Sequence, residues 1–423
     1  MRILQSIATK LALAAAMPTA AIAQIGLPSL PTADLGRTLG SITDLARLNA
    51  LPVAEAAQSL LDARTRRLAD FTSRNRSAIE FDADRNPAVR GVLVATGIDA
   101  GAIALAEARG FRMIEREEIE GIDLSFVRFA VPQGERLKAA QRLLAKLAVH
   151  AEIGVDPIYF PSGSAPAAVA GLAPSTNVAA PAVGIIDGGV AAHPSLADPL
   201  EQKGFAAGAP LASAHGTAIA SLIAGRGAIR GAAPGASLLA ADVYGNTPAG
   251  GSATAIARAL GWMAARRVPV VTISLVGPDN PLLRAAVRAA QGKGVLIVAA
   301  VGNDGPAAPP SYPASFPGVL AVTGTDSREH VLPEAGRALH VDFAAPGADM
   351  KGAAPGGGLA LLRGTSFAAP LVAARLSLHY RQARIDAIKP AVTALIAEAN
   401  DLGKKGRDPI YGDGLVCRAC ATR

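Results

Sequence analysis

Cysteine is nearly absent from this chain. Two occur in 423 residues, Cys417 and Cys420, both close to the carboxyl end. One CxxC pair lacks the further ligands of a structural zinc and the strand–helix setting of a redox motif, so a small terminal disulfide is expected there. Aromatic residues are also scarce, at 4% with a single Trp, and the formal net charge is only +7. The densest basic run is Arg64, Arg66, Arg67, Arg74 and Arg76. It has Phe71 as aromatic company and is balanced by Asp62, Asp70 and Glu80. Such a run reads as a solvated helix face, and no nucleic-acid partner is expected. Long apolar runs are missing too. Gly, Pro or charge interrupts each stretch beyond the first segment, which argues against stable membrane insertion once that segment is removed.

What is present suits a globular protein. Half the residues are hydrophobic, with 44 Gly and 30 Pro, and the length exceeds one minimal core, so two or more domains are expected. Residues 1–23 read as a signal peptide. Arg2 and Lys10 precede Leu11-Ala12-Leu13-Ala14-Ala15-Ala16-Met17, and Ala21-Ile22-Ala23 supplies a small-residue cleavage site before Gln24. Losing Arg2 and Lys10 takes the charge from +7 to +5. No cysteine follows the cleavage site, so a lipid anchor is not expected. The protein should be secreted or periplasmic.

Residues 24–88 read as a loop and an amphipathic helix, because Val53, Ala57, Leu60, Leu61, Leu68 and Phe71 recur at helical spacing. Residues 89–162 read as a small α+β unit. Strands at 89–96, 111–119, 124–131 and 151–160 alternate with helices at 100–109 and 135–149, the β-α-β-β-α-β order of ferredoxin-like folds. An Ala-, Pro-, Ser- and Gly-rich stretch at 163–180 reads as a flexible linker. From 181 to 416, buried strands alternate with helices, which predicts a mostly parallel α/β sheet covered on both faces. Residues 417–423 form a terminal tail.

Three segments of this last region carry chemistry. Gly364-Thr365-Ser366-Phe367-Ala368-Ala369-Pro370 sets a serine at the start of an apolar helix, where free N–H groups and the positive dipole end can hold negative charge. Pro370 is expected within the first turn, which needs no amide donors. Val183-Gly184-Ile185-Ile186-Asp187 ends a buried strand in a carboxylate, and His215-Gly216-Thr217 opens a second apolar helix. A serine hydroxyl attacks efficiently when a base takes its proton and a carboxylate orients the base.

The order Asp187, His215, Ser366, each in its own motif, resembles the subtilisin-like serine peptidases, or subtilases. The resemblance spans residues 181–414. Val298-Ala299-Ala300-Val301-Gly302-Asn303-Asp304-Gly305 looks like the family's oxyanion-asparagine segment. His193-Pro194, Gly231-Ala232-Ala233-Pro234, Phe343-Ala344-Ala345-Pro346-Gly347 and a closing segment from Asp401 to Val416 also match. The resemblance implies an endopeptidase acting on protein or peptide substrates, with no cofactor and no catalytic metal. In it Ser366 is the nucleophile, His215 the general base, Asp187 its orienting carboxylate and Asn303 an oxyanion donor. It also implies that Ser274, Leu275, Val276 and Gly277 bind substrate, and that 89–162 is an inhibitory propeptide whose carboxyl-terminal tail lies across that strand as an added strand, with the cut close to Ala180. An accessory domain is the competing reading of 89–162, and a catalytically silent binding protein that of the whole chain. No G-x-S-x-G elbow supports an α/β-hydrolase esterase.

Departures from the family pattern are Ala218, Thr272, Val276 and Val301. The two valines should make the main specificity pocket shallower and favour small or medium apolar side chains before the cut. Ala224-Gly225-Arg226-Gly227-Ala228-Ile229-Arg230 is short, has two arginines and no carboxylate, so a calcium site is not expected beside the histidine helix.

Overall fold

Val183-Gly184-Ile185-Ile186-Asp187 forms the central strand of the molecule, and every one of its residues is buried. Its alternation serves two cores. Val183 and Ile185 face one hydrophobic cluster and Ile186 the other, as a strand covered on both faces requires. The computed structural model describes residues 51–163, 171–178 and 182–423. The expected signal peptide, the loop before residue 51 and the linker positions 164–170 and 179–181 lie outside the described residues.

The amino-terminal part begins with helix α1 (Val53–Arg74) and strand β1 (Ile79–Phe81). Then come β2 (Pro87–Thr96), α2 (Ala100–Ala108), β3 (Arg112–Ile119), β4 (Leu124–Ala130), α3 (Leu137–Leu147) and β5 (Glu152–Pro157). These strands make one antiparallel sheet in which β2 pairs with β1, β4 and β5, and β3 lies outside β4. The α+β unit therefore starts two residues earlier than its sequence boundary at 89, and β1 is an addition that the loop-and-helix reading of 24–88 omits. The expected strand 151–160 divides as well. It breaks after Pro157 and resumes as β6 (Phe160–Pro161), which belongs to a different pairing.

The larger part contains a seven-stranded parallel sheet ordered β16-β15-β14-β12-β7-β11-β9. Its strands are β7 (Val183–Asp187), β9 (Leu200–Gly204), β11 (Leu238–Asp242), β12 (Val270–Ile273), β14 (Leu296–Ala300), β15 (Leu320–Thr325) and β16 (Phe343–Pro346), while the short β8 (Gly189–Val190) and β10 (Ala212–Ser213) pair with each other outside it. From β7 the chain first builds β9 and β11 on one side, then β12 through β16 on the other. The reversal point is β7 itself, and the crevice at its carboxyl end is where such sheets place ligands. Helices α4 (Ala214–Ala224) and α7 (Thr365–His379) cover one face. Helices α5 (Ala253–Ala265) and α6 (Pro281–Gly292) cover the other. This is the mostly parallel α/β sheet, covered on both faces, that the sequence predicts. A last helix, α8 (Ile388–Glu398), packs on α7.

The amino-terminal sheet lies on α5 and α6. Val94, Ile119, Ile122 and Phe126 join their core, and Gly121 approaches so closely that a Cβ there would lie 2.5 Å from the Gly261 carbonyl oxygen. Asp156, fully buried, accepts from the Thr254 N–H at 3.0 Å and its hydroxyl at 2.8 Å, at the start of α5. Burial pushes the Asp156 carboxyl up, against the opposing pull of Arg128 and Thr254. Arg258 of α5 pairs with Glu115 and Glu117 of β3, and Lys293 with Asp123.

Two segments are more ordered than composition suggests. Residues 171–178 of the expected linker are docked, with the Ala173 N–H on Val190 and the Thr176 N–H on Leu200. In the terminal tail, Cys417 and Cys420 form a disulfide and pack against the core, and Thr422 accepts from the Lys351 and Arg230 amides.

Candidate active site

Asp187 ends β7, and the next residue is the glycine at which the chain turns. One carboxylate oxygen accepts from the Gly188 N–H at 2.8 Å, and both face Nδ1 of His215 at 3.0 and 2.9 Å. His215 stands in the first turn of α4, which Ser213 caps by accepting from the Gly216 N–H. With Nδ1 donating to the carboxylate, Nε2 is free to accept, and it lies 2.9 Å from the Ser366 hydroxyl. Asp187 and Ser366 are fully buried and His215 is 7% exposed. The structure brings the three side chains, 151 residues apart from histidine to serine, into one hydrogen-bonded row.

Ser366 is the second residue of α7, after Gly364 and Thr365. Gly364 has φ +137°, a conformation reserved for glycine, and a Cβ on it would lie 2.6 Å from Asn303 Nδ2. Asn303 follows β14. Its side-chain oxygen accepts from the Thr365 N–H at 3.0 Å, which leaves Nδ2 pointing into the site. The Thr365 hydroxyl also donates to the Gly302 carbonyl, locking the two segments together. Pro370 is the sixth helical residue, not a first-turn residue as expected from the motif. It cannot bond the Ser366 carbonyl four residues back, and Ser274 takes that place by donating its hydroxyl at 2.8 Å.

The space beside Ser366 is filled by the chain itself. The amides of Ser366 (3.1 Å) and Asn303 both donate to the Ser162 carbonyl oxygen. Both the N–H and the hydroxyl of Ser162 donate to the Ser274 carbonyl at 3.0 Å. Upstream, β6 pairs antiparallel with β13 (Leu275–Val276), matching Leu275 with Pro161 and Val276 with Phe160. On the other side, the Tyr159 N–H donates to Gly251 and the Tyr159 carbonyl accepts from the Tyr244 hydroxyl. Residues 158–162 therefore form the middle strand of a three-stranded arrangement. The following residue, Gly163, lies so close that a Cβ on it would be 2.0 Å from the Ser366 hydroxyl. The Ser162–Gly163 peptide bond faces the row of side chains, and the expected cut close to Ala180 lies outside the described residues.

Of the substrate-strand candidates, Ser274, Leu275 and Val276 meet this inserted segment. Gly277 instead exchanges backbone hydrogen bonds with Tyr312, while its Cα packs against the Tyr159 ring. Beside Ser162 lies a cavity of about 260 Å³ lined by Val276, Gly277, Asn303, Asp304 and Tyr312, together with Arg64 and Arg67 of α1. Val301 does not line it, being wholly buried in the core on the α5–α6 face. Sequence reasoning expected the tail of 89–162 to lie across Ser274 to Gly277, but missed the parts played by Thr365, Tyr244 and Gly251 and that Ser162 is the residue held at Ser366. The paired glycines Gly250-Gly251 were a usable signal for close backbone approach.

Burial shapes the electrostatics around Asp187. Asp242, its register partner on β11, is pushed up by burial, against three backbone N–H donors, and the Asp187 charge adds to the rise. Burial likewise keeps the Tyr244 phenol well above its ordinary value, with Asp187 and Asp242 adding to the effect, so it remains a donor. Among the described residues no cluster of His, Cys, Asp and Glu could hold a metal.

The sequence profile of the subtilase family matches residues 179–414. Subtilisin Savinase of Lederbergia lenta is 34% identical over 248 residues, covering 57% of this chain and 90% of that protein. The alkaline protease of Alkalihalobacillus alcalophilus is also 34% identical, over 57% of this chain and 64% of its own. The crystal structure of fervidolysin from Fervidobacterium pennivorans, a keratinolytic enzyme related to subtilisin, superposes with a TM-score of 0.63. It is 18% identical and covers 79% of this chain and 61% of that one, a likeness of fold. Since the profile match takes in Asp187, His215, Asn303 and Ser366 and spans more than half of its length, the chain belongs to the subtilase family of serine peptidases.

Proposed function

We propose that this protein is an exported serine endopeptidase, with Asp187, His215 and Ser366 as its triad and residues up to Ser162 as its own intramolecular inhibitor. The observation that carries the reading is the Ser162 carbonyl oxygen, held by the Ser366 N–H and the Asn303 amide. That is where the carbonyl of a peptide about to be cleaved would have to lie. Ser366 would attack the Ser162 carbonyl carbon while Nε2 of His215 takes the hydroxyl proton. The tetrahedral oxyanion would collect charge between the two amides. Collapse would expel the Gly163 amine, protonated by the same imidazole, and leave Ser162 esterified to Ser366 until water releases it. Asp187 would hold the imidazole tautomer and stabilise the imidazolium. Protein or peptide substrates would then follow the same path after the inhibitor leaves, pairing with Ser274 to Val276 as an added strand.

Export rests on the features of residues 1–23. Among the described residues, no helix is long and apolar enough to cross a membrane. The test is mass spectrometry of the wild type beside Ser366→Ala after secretion. The wild type should yield a chain beginning at Gly163, and Ser366→Ala should retain residue 162 joined to 163. An active wild type still joined at Ser162–Gly163 would make the amino-terminal part an accessory domain. A folded wild type that neither cuts itself nor reacts with a fluorophosphonate would be a silent binding protein.

A further inference from the structure

Helix α1 lies outside the β-α-β-β-α-β unit, yet it touches both sides of the cleft. On the enzyme side it meets Asn303-Asp304-Gly305. Leu60, 1% exposed, sits on Gly305, where a Cβ would come within 2.8 Å of its side chain. Arg67 donates to one oxygen of Asp304 at 2.7 Å, and Arg64 Nε faces the other at 3.2 Å. On the inserted-strand side, Leu68 and Phe71 pack with Ile158 and Phe160, the Phe71 and Phe160 rings meeting edge to face at 5.2 Å. Arg64, Arg67 and Leu68 thereby close the cavity beside Ser162.

The inserted strand's pairing with β13 is two residues long, and cleavage of Ser162–Gly163 would free its end. A helix gripping the loop directly after the oxyanion asparagine adds an attachment that cleavage does not touch. Asp304 is its polar anchor and Gly305 its apolar seat. The side chains of Asp304 and Arg67 are 17% and 16% exposed, so water screens this pair less than it would a surface pair.

We infer that α1 is a latch: through Leu60, Arg64 and Arg67 the segment Val53–Arg74 grips the Asp304–Gly305 rim and holds the cut amino-terminal part over the cleft, so that loosening this grip shortens the interval between cut and activity. The inference rests on the self-cleavage reading above and adds to it a second, separable step. Arg64 and Arg67 are absent from the fragment beginning at Gly163, so changing them leaves the finished enzyme chemically unaltered.

The experiment compares full-length wild type with the double variant Arg64→Ala, Arg67→Ala. Intact-mass spectrometry follows the cut, and a fluorogenic peptide follows activity. The cut should proceed alike in both, while the lag from cut to full activity should shorten on the order of tenfold in the variant. Raising NaCl from about 0.05 to about 1 M should shorten the wild-type lag more than the variant's, because the Arg258–Glu115 and Lys293–Asp123 pairs are screened in both and the Asp304 pairs only in the wild type. Equal lags with normal cutting overturn the latch and leave the self-cleavage reading intact. A wild type never cut at Ser162–Gly163 overturns that reading and the latch with it. Should the double variant misfold and remain uncut, the milder single variant Arg67→Gln decides: a lag equal to the wild type's overturns the latch, and a shorter one supports it.

Discussion

The Ser274 hydroxyl donates to the Ser366 carbonyl at 2.8 Å, in the place where Pro370 has no N–H to offer. The segment that leads into β13 is thus tied to the backbone of Ser366. Ser274→Ala would leave a buried carbonyl unpaired, a cost of about 1–3 kcal/mol. Thermal melts should fall accordingly. Turnover should also drop about tenfold, since a carbonyl free to move lets the serine drift from Nε2. A variant with unchanged melting and turnover would show that the bond is incidental.

Removing the row of side chains should separate their roles. Ser366→Ala is expected to lower turnover by about six orders of magnitude, and Asn303→Ala by about two to three. Asp187→Asn should cost about four orders, because the imidazole loses the tautomer that leaves Nε2 free. Steady-state kinetics on enzyme activated in trans would check all three.

Gly364→Ala tests the close approach at the start of α7. The new Cβ would lie 2.6 Å from Asn303 Nδ2 and 2.9 Å from the Ser162 carbonyl oxygen, at a φ of +137°. We expect self-cleavage to slow by at least about a hundredfold, comparable to losing one oxyanion donor. Ready cleavage of this variant, read by mass, would refute the assignment.

Specificity should favour small or medium apolar side chains before the cut, as Ser162 itself suggests. Val276 lines the cavity beside it, whereas Val301 is turned into the core. Val276→Gly should therefore raise cleavage after Phe relative to Ala by about 10–200-fold, and Val301→Gly should chiefly destabilise the fold. Peptide-library profiling distinguishes the two.

A pH effect is expected away from the site. The hydrogen bond to Asp342 holds the His340 imidazolium above its ordinary range, outweighing burial. Asp342 is raised by burial, but His340, Arg407 and the Ala321 N–H together hold it below the usual carboxylate range. A raised histidine contributes stability that is full below pH ~6.5 and is lost as pH rises through its folded value. From pH 6 to 9 the wild type should lose about one or two degrees of melting temperature that His340→Gln does not lose, a small effect because the pair is partly exposed. Parallel melting curves would show that the pair contributes nothing.

The parallel α/β class, the helices opened by His215 and Ser366, and the strand ended by Asp187 were all legible in the sequence. Each rests on local chemistry: an apolar run, a turn glycine, a residue at a helix start. The strand and helix order of 89–162 was legible for the same reason, to within a few residues at each end.

Only the tertiary structure decided the contacts between distant segments. Ile158 to Phe160 reads locally as the end of the strand 151–160, and the family resemblance put this tail across Ser274 to Gly277; only the hydrogen bonds of Ser162 to Ser274 and Ser366 show which residue reaches the serine. Local pattern also set Val276 and Val301 alike as pocket residues. A strand's alternation says that side chains divide between two faces, but which face meets the cleft depends on the layers packed around it. Helix α1 followed the same rule. Its apolar stripe was visible, yet its seat on Gly305 and its ion pairs with Asp304 join residues more than 230 positions apart, a separation across which periodicity carries no information.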